Sequence, residues 1–494
     1  MIDLQSQNPS RTRLQERRGA GIALPTLLAL LAPSGSAYAE CSLSGAGTAD
    51  SPYLVGTYAD LEQVGTSCSL TSEYRLIADI DASPSRTENG GTGFVPIGVD
   101  SSFSGIFHGA GHSIRNLTIV DSSLDHVGMF ASSVGTIDSL GLVDAYIVGG
   151  RASAVGGFMG YSGSSMFQRT IVKFCYVTGT VSGGKRSNVG GLLGGGWGTI
   201  SNSYLIGGVS GGDSSVVGGI AGANQFSSIE RCFSIGKISG GDNSVVGGIV
   251  GSTGDPLSES ILRNSYAVGS VSGSWVGGVA GKIQGGYIMM TYAAGSLSGG
   301  SLATSGGLAG SDYFWEYLNI RTQNLLVRGE IESSYWDIQK SGWTNGVGTD
   351  TCNPVVQSGL TTSQMRDSVN FGGFGFGPDS DWTIVQGQTF PLLRAMPNGI
   401  QAQIDAQVAS LAGVHVRESW AGQVALRQVG KNVELDLALP GRVRLMDLTG
   451  RQIAPEMTFA AGRHVFPISS TGSMSLLQVG IGSTSISLPL IPLR

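Results

Sequence analysis

The chain has 494 residues, of which 79 are glycine and only 13% are charged, and its formal net charge is −6. This acidic balance argues against a nucleic-acid partner, because neutralising phosphates needs clustered lysine and arginine. Hydrophobic residues make up 41% of the chain and come in short Val, Ile, Leu and Ala runs cut by Gly, Ser and Asn. Such runs are typical of many short strands joined by tight turns, so the protein is expected to be all-β.

Residues 1–39 have the pattern of an export signal. Four arginines precede an apolar stretch over about 19–32, and Ala37-Tyr38-Ala39 supplies the small-x-small cleavage pattern. The stretch is short and is interrupted by Pro25 and Pro33, which favours a cleaved signal over a membrane anchor. No second stretch is long and apolar enough to span a bilayer. The mature protein is therefore expected to be secreted or displayed on the outer cell surface.

Residues 41–127 are expected to form an N-terminal cap and the first rungs of the fold, because exposed sheet edges invite aggregation. In an oxidising compartment Cys41 and Cys68 could close a loop within this cap. The chain has five cysteines in all. The odd total leaves at least one thiol free or paired outside the chain.

A repeated motif, Val-Gly-Gly-x-x-Gly, organises residues 128–310. Its first glycines fall at 128, 156, 190, 218, 247, 277 and 306, so the intervals are 28, 34, 28, 29, 30 and 29 residues. A second motif keeps the same phase and consists of a small residue followed by an aromatic one. Its copies are Cys175-Tyr176, Ser203-Tyr204, Cys232-Phe233, Ser265-Tyr266 and Thr291-Tyr292.

Each period holds about three short strands separated by glycine turns, which predicts one coil of a right-handed parallel β-helix. Coils stack about 4.8 Å apart, so equivalent positions form columns. The aromatic column is expected to stack in or near the core; a glycan-binding strip would require that face to point outward. Cys175 and Cys232 would lie two coils apart, about 9 to 10 Å, which is too far for a disulfide. Both are predicted to be free and buried.

The units Val189–Gly194 and Asn202–Gly211 resemble GLUG repeats. Such repeats occur in secreted bacterial proteins, including adhesins similar to filamentous haemagglutinin and immunoglobulin A peptidases. The resemblance extends over about residues 45 to 395 and implies a β-helical surface protein without specifying an activity. Related peptidases carry a metal-binding His-Glu-x-x-His in another domain, and this chain has no such sequence.

The C-terminal third is expected to contain three parts. Residues 311–398 would form the last rungs and a C-terminal cap, and residues 399–412 a linker or short helix. Residues 413–494 would form a small antiparallel β-sandwich, because alternating strands are followed by Thr449-Gly450-Arg451, which fits a hairpin turn. This part resembles the sorting domains of the type nine secretion system. Its ending lacks the usual lysine-bearing tail, so a plain accessory domain is an equal alternative.

Metal sites have few candidates in this sequence, and no other cofactor is predicted. Asp213 and Asp242 share one phase in adjacent coils, so two carboxylates about 5 Å apart could hold calcium. The alternative is a solvated turn in which Lys185, one coil earlier, offsets Asp213. His108 and His112 are four residues apart but flank a glycine turn rather than lying on a helix, which disfavours metalloprotease chemistry.

Two functions fit these features. The first is a non-catalytic adhesin or structural protein that presents a low-charge repeat surface to glycans or proteins. The second is a carbohydrate-active enzyme, a polysaccharide lyase or glycoside hydrolase, on the same scaffold. An enzyme needs convergent carboxylates or cations in a loop-walled groove. The near-constant repeat interval leaves little room for such loops, apart from residues 253–259.

Overall fold

The computed structural model describes most of residues 40–397, the gaps being 164–168, 226, 255–259, 301–303, 313–314, 318–324, 328 and 351–358. It also describes residues 403, 407 and 460 and the C-terminal strands. The predicted export signal, the predicted turn at 449–451 and Cys352 lie outside the described residues.

Within these residues the chain forms a parallel β-solenoid of four sheets, with ten, eleven, seven and eight strands. From Thr136 to Asp312, each coil contributes to the four sheets in that order. The predicted all-β parallel helix is confirmed. The ten-stranded sheet contains Tyr53–Val55, Glu73–Leu76, Ile106–His108, Thr136–Asp138, Thr170–Lys173, Gly198–Ser201, Ser228–Glu230, Ile261–Arg263, Gly286–Met289 and Gly329–Glu332.

The remaining three sheets complete the coils. The eleven-stranded sheet contains Ile80–Asp81, Ser113–Arg115, Thr118–Asp121, Gly141–Gly149, Tyr176–Gly183, Tyr204–Gly211, Phe233–Gly240, Tyr266–Ser272, Tyr292–Ala293, Ser296–Ser298 and Tyr335–Trp336. The seven-stranded sheet contains His126–Val127, Ala154–Gly156, Asn188–Gly190, Val216–Gly218, Val245–Gly247, Trp275–Gly277 and Ser305–Gly306. The eight-stranded sheet contains Phe130–Ser133, Met159–Ser162, Leu193–Gly196, Ala221–Asn224, Val250–Thr253, Ala280–Ile283, Ala309–Asp312 and Val347–Asp350.

Each complete coil passes through four sheets, so the expectation of about three strands per coil was wrong. The repeated motif itself makes two strands, as in Asn188–Gly190 and Leu193–Gly196, with a two-residue turn between them. A Cβ atom on Gly191, within that turn, would lie 2.8 Å from the Leu205 Cδ2 atom across the coil. Glycine at this position therefore lets the core side chain of the opposite sheet approach the turn.

The core is a set of columns in register between coils. The motif valines pair in sequence, as Val189 with Val217 and Val217 with Val246, and all three are fully buried. Each buried aliphatic side chain stabilises the fold by about 1.5–3 kcal/mol. These contributions repeat from coil to coil, and the buried side chains join into one continuous apolar core along the solenoid.

A polar column lies inside the corner that precedes the eleven-stranded sheet. The backbone N–H of Cys175 donates to the Ser203 hydroxyl at 3.0 Å, and that of Cys232 donates to the Ser265 hydroxyl at 3.1 Å. Both cysteines are free and buried, as predicted. Burial raises the pKa of each thiol to about 12, so neither carries the reactive thiolate at neutral pH.

The coils differ in length mainly at one corner, between the eight-stranded and ten-stranded sheets. One residue joins Gly196 to Gly198, whereas residues 163–169 join Ser162 to Thr170 and residues 254–260 join Thr253 to Ile261. The connection from the ten-stranded to the eleven-stranded sheet is two residues long throughout these coils. The single 34-residue interval in the repeat is therefore explained by a longer connection at this corner.

The N-terminal cap begins with a disulfide and a short helix. Cys41 and Cys68 are joined by a disulfide, with their Cα atoms 4.7 Å apart. The helix Tyr58–Leu61 is capped by Thr57, whose side chain accepts from the Asp60 backbone while Asp60 returns the bond. Other helical segments among the described residues include Ile338–Ser341 and the 3₁₀ turns Ser83–Thr87, Asn89–Gly91, Gln364–Arg366 and Ser368–Asn370.

The C-terminal strands are antiparallel, as predicted for 413–494. They form a three-stranded sheet of Val424–Val429, Asn432–Leu437 and Gly462–Pro467, and a four-stranded sheet of Met457–Phe459, Gly441–Asp447, Ser475–Ile481 and Thr484–Leu490. Two further antiparallel pairs precede them, Trp315–Tyr317 with Leu325–Val327 and Trp382–Thr383 with Leu392–Leu393.

A substitution at Gly236 tests the stacking of the coils. Gly236 has φ of +148°, and a Cβ atom there would lie 1.8 Å from the Gly207 carbonyl oxygen of the preceding coil. Gly236→Ala should lower the free energy of unfolding by about 3 kcal/mol or more, measured by urea titration. Gly208→Ala is the matched control, because its Cβ would meet only ordinary contacts at 3.6 Å and beyond. Equal effects of the two substitutions would contradict the stacking.

The buried thiols give a second test. In a Cys352→Ser variant, Cys175 and Cys232 should remain unmodified by iodoacetamide at pH 8 in native buffer, because desolvation suppresses the thiolate. Both should react fully in guanidinium chloride, as followed by peptide mass spectrometry. Rapid labelling of either cysteine in the native protein would contradict its placement.

Candidate functional site

The long strands of the eleven-stranded sheet present alternate residues to the core and to the outside. In Tyr176–Gly183, Val177 and Val181 are buried in the core, while Tyr176, Thr180 and Ser182 lie on the opposite face. The outer face of this sheet consequently carries two kinds of column. One is aromatic and the other is hydroxylic.

The aromatic column is a continuous stack of nearly parallel rings. Ring centroids are 4.6–5.1 Å apart, and interplanar angles are 2–12°. The predicted alignment of Tyr204, Phe233 and Tyr266 is confirmed by their direct pairing in the register. The column is buried, as expected, but it lies on the outside of the coil and belongs to a separate apolar cluster.

The chain's own C-terminal segment covers the column. This C-terminal strap comprises residues 360–397 with Gln403 and Gln407. Its Trp382 and Phe371 rings lie 6.0 Å from the Tyr292 ring, both measured between centroids. Trp382, Tyr266 and Tyr292 are almost fully buried as a result. The strap therefore occupies the face on which an aromatic glycan-binding strip would have lain.

Buried polar groups fix the strap to the column. The Tyr292 hydroxyl donates to the Pro391 carbonyl at 2.6 Å and accepts from Gln407 Nε2 at 3.1 Å. The Tyr266 hydroxyl donates to Gln403 Oε1 at 3.0 Å. Burial raises the pKa of both tyrosines well above its ordinary value. Gln403 and Gln407 fall within the segment expected to be a linker or short helix. Both positions are helical, and their side chains pack against the solenoid.

Charged groups line one edge of the strap. The Asp381 carboxylate accepts from Asn264 Nδ2 at 2.7 Å and lies 3.9 Å from the Arg231 guanidinium. Glu230 accepts from the Arg263 guanidinium at 2.8 Å. Burial alone would raise the pKa of Glu230, but hydrogen bonds, chiefly from Arg263, outweigh it and hold that pKa below its usual value. Both carboxylates are therefore engaged by neighbouring side chains.

The hydroxylic column is open to solvent. Five serines stack in register along the outer face; Ser210 and Ser298 are exposed and the other three are half-buried. Strands in this arrangement repeat about every 4.8 Å, so the hydroxyls form a regular row parallel to the solenoid axis. The members of this serine column are Ser182, Ser210, Ser239, Ser272 and Ser298.

The proposed calcium ligands meet at the corner beyond the serine column. Lys185 Nζ lies 2.7 Å from Asp213 Oδ2, and the Asp242 backbone N–H donates to Asp213 Oδ1 at 3.2 Å. The lysine, followed by the backbone donor, lowers the pKa of Asp213. Both oxygens of this exposed carboxylate have partners, which matches the solvated-turn alternative. Among the described residues, no three His, Cys, Asp or Glu side chains group as metal ligands.

The histidines take part in carboxylate contacts that the sequence did not reveal. His108 Nδ1 lies 3.0 Å from Asp138 Oδ2, and its Nε2 lies 3.5 Å from Glu73 Oε2. His112 instead contacts Asp79, at 3.5 Å. His108 and Asp138 pair directly in the ten-stranded sheet. Aligning the coils by sequence would have predicted this contact. The N-terminal coils, however, repeat too weakly in sequence to be aligned.

The molecule is thus a parallel β-solenoid with a covered aromatic column and an open serine column. In the part of the chain that is described, no helix has the length and apolar character to cross a membrane. No family model matches the chain.

Two proteins are similar in sequence over part of this chain. Halomucin from Haloquadratum walsbyi is 37% identical over 155 residues, which cover 30% of this chain and 2% of halomucin. A protein named as a candidate Gly-rich membrane protein from Evansella cellulosilytica is 31% identical over 130 residues, covering 26% of this chain and 15% of that protein. The chain matches only a small fraction of the length of either relative.

Two solved structures are distantly similar. The crystal structure of a candidate immunoglobulin A1 protease from Bacteroides ovatus gives a TM-score of 0.46 at 19% identity, covering 71% of this chain and 94% of that chain. An IgA1 protease gives a TM-score of 0.32 at 18% identity, covering 62% of this chain and 21% of that chain.

A substitution at Trp382 tests whether this side chain holds the strap on the aromatic column. Trp382→Ala should leave a cavity over the aromatic column and lower the free energy of strap opening by about 3–5 kcal/mol. Hydrogen exchange at the Leu393 amide, which donates to Gln403 Oε1, measures that opening. Val369→Ala is the control within the strap, because Val369 is 79% exposed. Unchanged exchange in Trp382→Ala would show that the strap is held elsewhere.

Proposed function

We propose that this protein is a non-catalytic adhesin or structural protein, exported from the cell and displayed at or released from its surface. The solenoid serves as a rigid support, and the open serine column binds glycans or proteins of neighbouring surfaces. The observation that carries this proposal is the uninterrupted row of outward hydroxyls on a face with little charge.

Several features support export. The N-terminal sequence has a basic region, an apolar stretch and a small-x-small cleavage pattern. The Cys41–Cys68 disulfide is the kind of bond that persists in an oxidising compartment. One matched relative is named as a membrane protein, which is in keeping with a place at the cell envelope. The C-terminal strands could then supply either a sorting signal or an accessory domain.

The GLUG resemblance is part of the same proposal. In this coil the motif glycines are close to backbone, since a Cβ atom at Gly190, Gly191 or Gly194 would run into backbone atoms of its own or a neighbouring coil. A regular polar row suits adhesion because many weak hydrogen bonds add along it, whereas catalysis needs a few convergent groups. The described charged clusters, such as Glu230 with Arg263 and Lys185 with Asp213, are paired internally.

A triple substitution tests the serine column. Ser210→Val, Ser239→Val and Ser272→Val together remove three hydroxyls while keeping residues that favour strands. Binding to a glycan array and to cell surfaces should fall at least tenfold. The control is Thr199→Val on the outward side of the ten-stranded sheet, where binding should not change.

A reducing-sugar assay on the glycans that bind separates the two functions. No release is expected from an adhesin. Release that depends on a described carboxylate would establish the enzyme instead, and unchanged binding by the triple variant would remove the serine column from the proposal.

A further inference from the structure

Two arginines lie beside the start of the serine column without an acidic partner. Arg151 and Arg186 are exposed and come from neighbouring coils at the corner after the eleven-stranded sheet. The Ala152 N–H donates to the Lys185 carbonyl at 2.8 Å, which stacks the two corners directly. Lys185 is neutralised by Asp213 at 2.7 Å. Neither guanidinium has an ion-pair partner among the residues the structure describes, so both are available to an external anion.

An exposed tyrosine lies on the same face. Tyr146 is 52% exposed and pairs in register with Thr180, while the next outward pair is Val148 with Ser182. From Tyr146 to the end of its strand at Gly149 is about 10 Å at the usual rise per residue. This strip lies beside Thr180 and Ser182 in the next coil and beside Asp121 in the preceding one, and its length suits a short oligosaccharide.

The charges along this strip are asymmetric, because the two arginines at one end outnumber Asp121, whose carboxylate already accepts from the Ser123 and Leu124 backbone. Asp144 is exposed two residues before Tyr146, and its backbone N–H donates to the Thr178 hydroxyl at 2.9 Å. Its carboxylate repels an anion at that end but can accept hydrogen bonds from sugar hydroxyls. Guanidinium groups at the other end bind carboxylates through paired, charge-assisted hydrogen bonds. An aromatic ring between them suits the apolar face of a sugar.

We propose that Tyr146, Arg151 and Arg186 form a subsite for an acidic sugar, with its carboxylate at the arginines and its ring against the tyrosine. The proposal rests on the proposed function, because it names the class of glycan that the outer face takes. The serine column continues from this subsite along the solenoid, so an extended acidic polysaccharide would be held by its charged end group here and by hydroxyl contacts beyond.

Titration calorimetry of the full chain with trigalacturonate and with its methyl ester tests the subsite. The acid should bind at least tenfold more tightly than the uncharged ester, and added salt should reduce that difference. The double variant Arg151→Gln/Arg186→Gln should lose the preference, whereas Tyr146→Ala should weaken binding of both ligands. Arg75→Gln, an exposed arginine on the ten-stranded sheet, is the matched control and should bind as the parent protein does.

The outcomes separate this subsite from the proposed adhesive role. Equal binding of acid and ester, or full binding by the double arginine variant, would overturn the subsite. If that variant still holds to cell surfaces through the serine column, the adhesive role stands without it. If trigalacturonate binds as expected but the triple serine variant holds to surfaces normally, the subsite stands and the serine column does not. Thermal unfolding of each variant confirms that the fold is intact.

Discussion

Hydrogen bonding between the backbones of successive coils is the interaction on which the whole structure depends. These bonds require that one coil lie directly over the next. Glycine allows this close approach, because it has no side chain to hold the coils apart. At Gly236 the carbonyl of the coil before comes so close that no Cβ fits. The valine columns contribute the apolar energy, but they can do so only because the backbone register is already fixed. The aromatic and serine columns on the outer face follow the same backbone register.

The outer face of the eleven-stranded sheet shows how one register can serve two purposes. Near the start of each long strand, the repeated aromatic residues make a stack that would aggregate if left open, and the strap closes it. Near the end of each strand, the repeated serines stay hydrated and accessible. The fold thus places an apolar column and a polar column a few residues apart, and only one is available to other molecules.

Much of this arrangement follows from the sequence, and the part that does not has a clear cause. The repeat interval was sufficient to align Tyr204 with Phe233 and to place Cys175 and Cys232 as separate buried thiols, because neighbours in the solenoid are about one period apart. The strap could not be found that way. The Tyr266 hydroxyl bonds to Gln403, a residue 137 positions further on, and the strap has no repeat that would indicate its partner. The fourth strand was missed because the motif glycines look like a single turn.

The concentration of length variation at one corner has a consequence for how such a chain changes over time. Where Ser162 leads to Thr170 through residues 163–169, added residues leave the stacked sheets undisturbed, since the next strand resumes at the same phase. The opposite corner, fixed at two residues, has no such freedom. Insertions at the corner between the eight-stranded and ten-stranded sheets can therefore be accommodated in several coils. All of them will project from the same side of the solenoid, whose sheets stay unchanged.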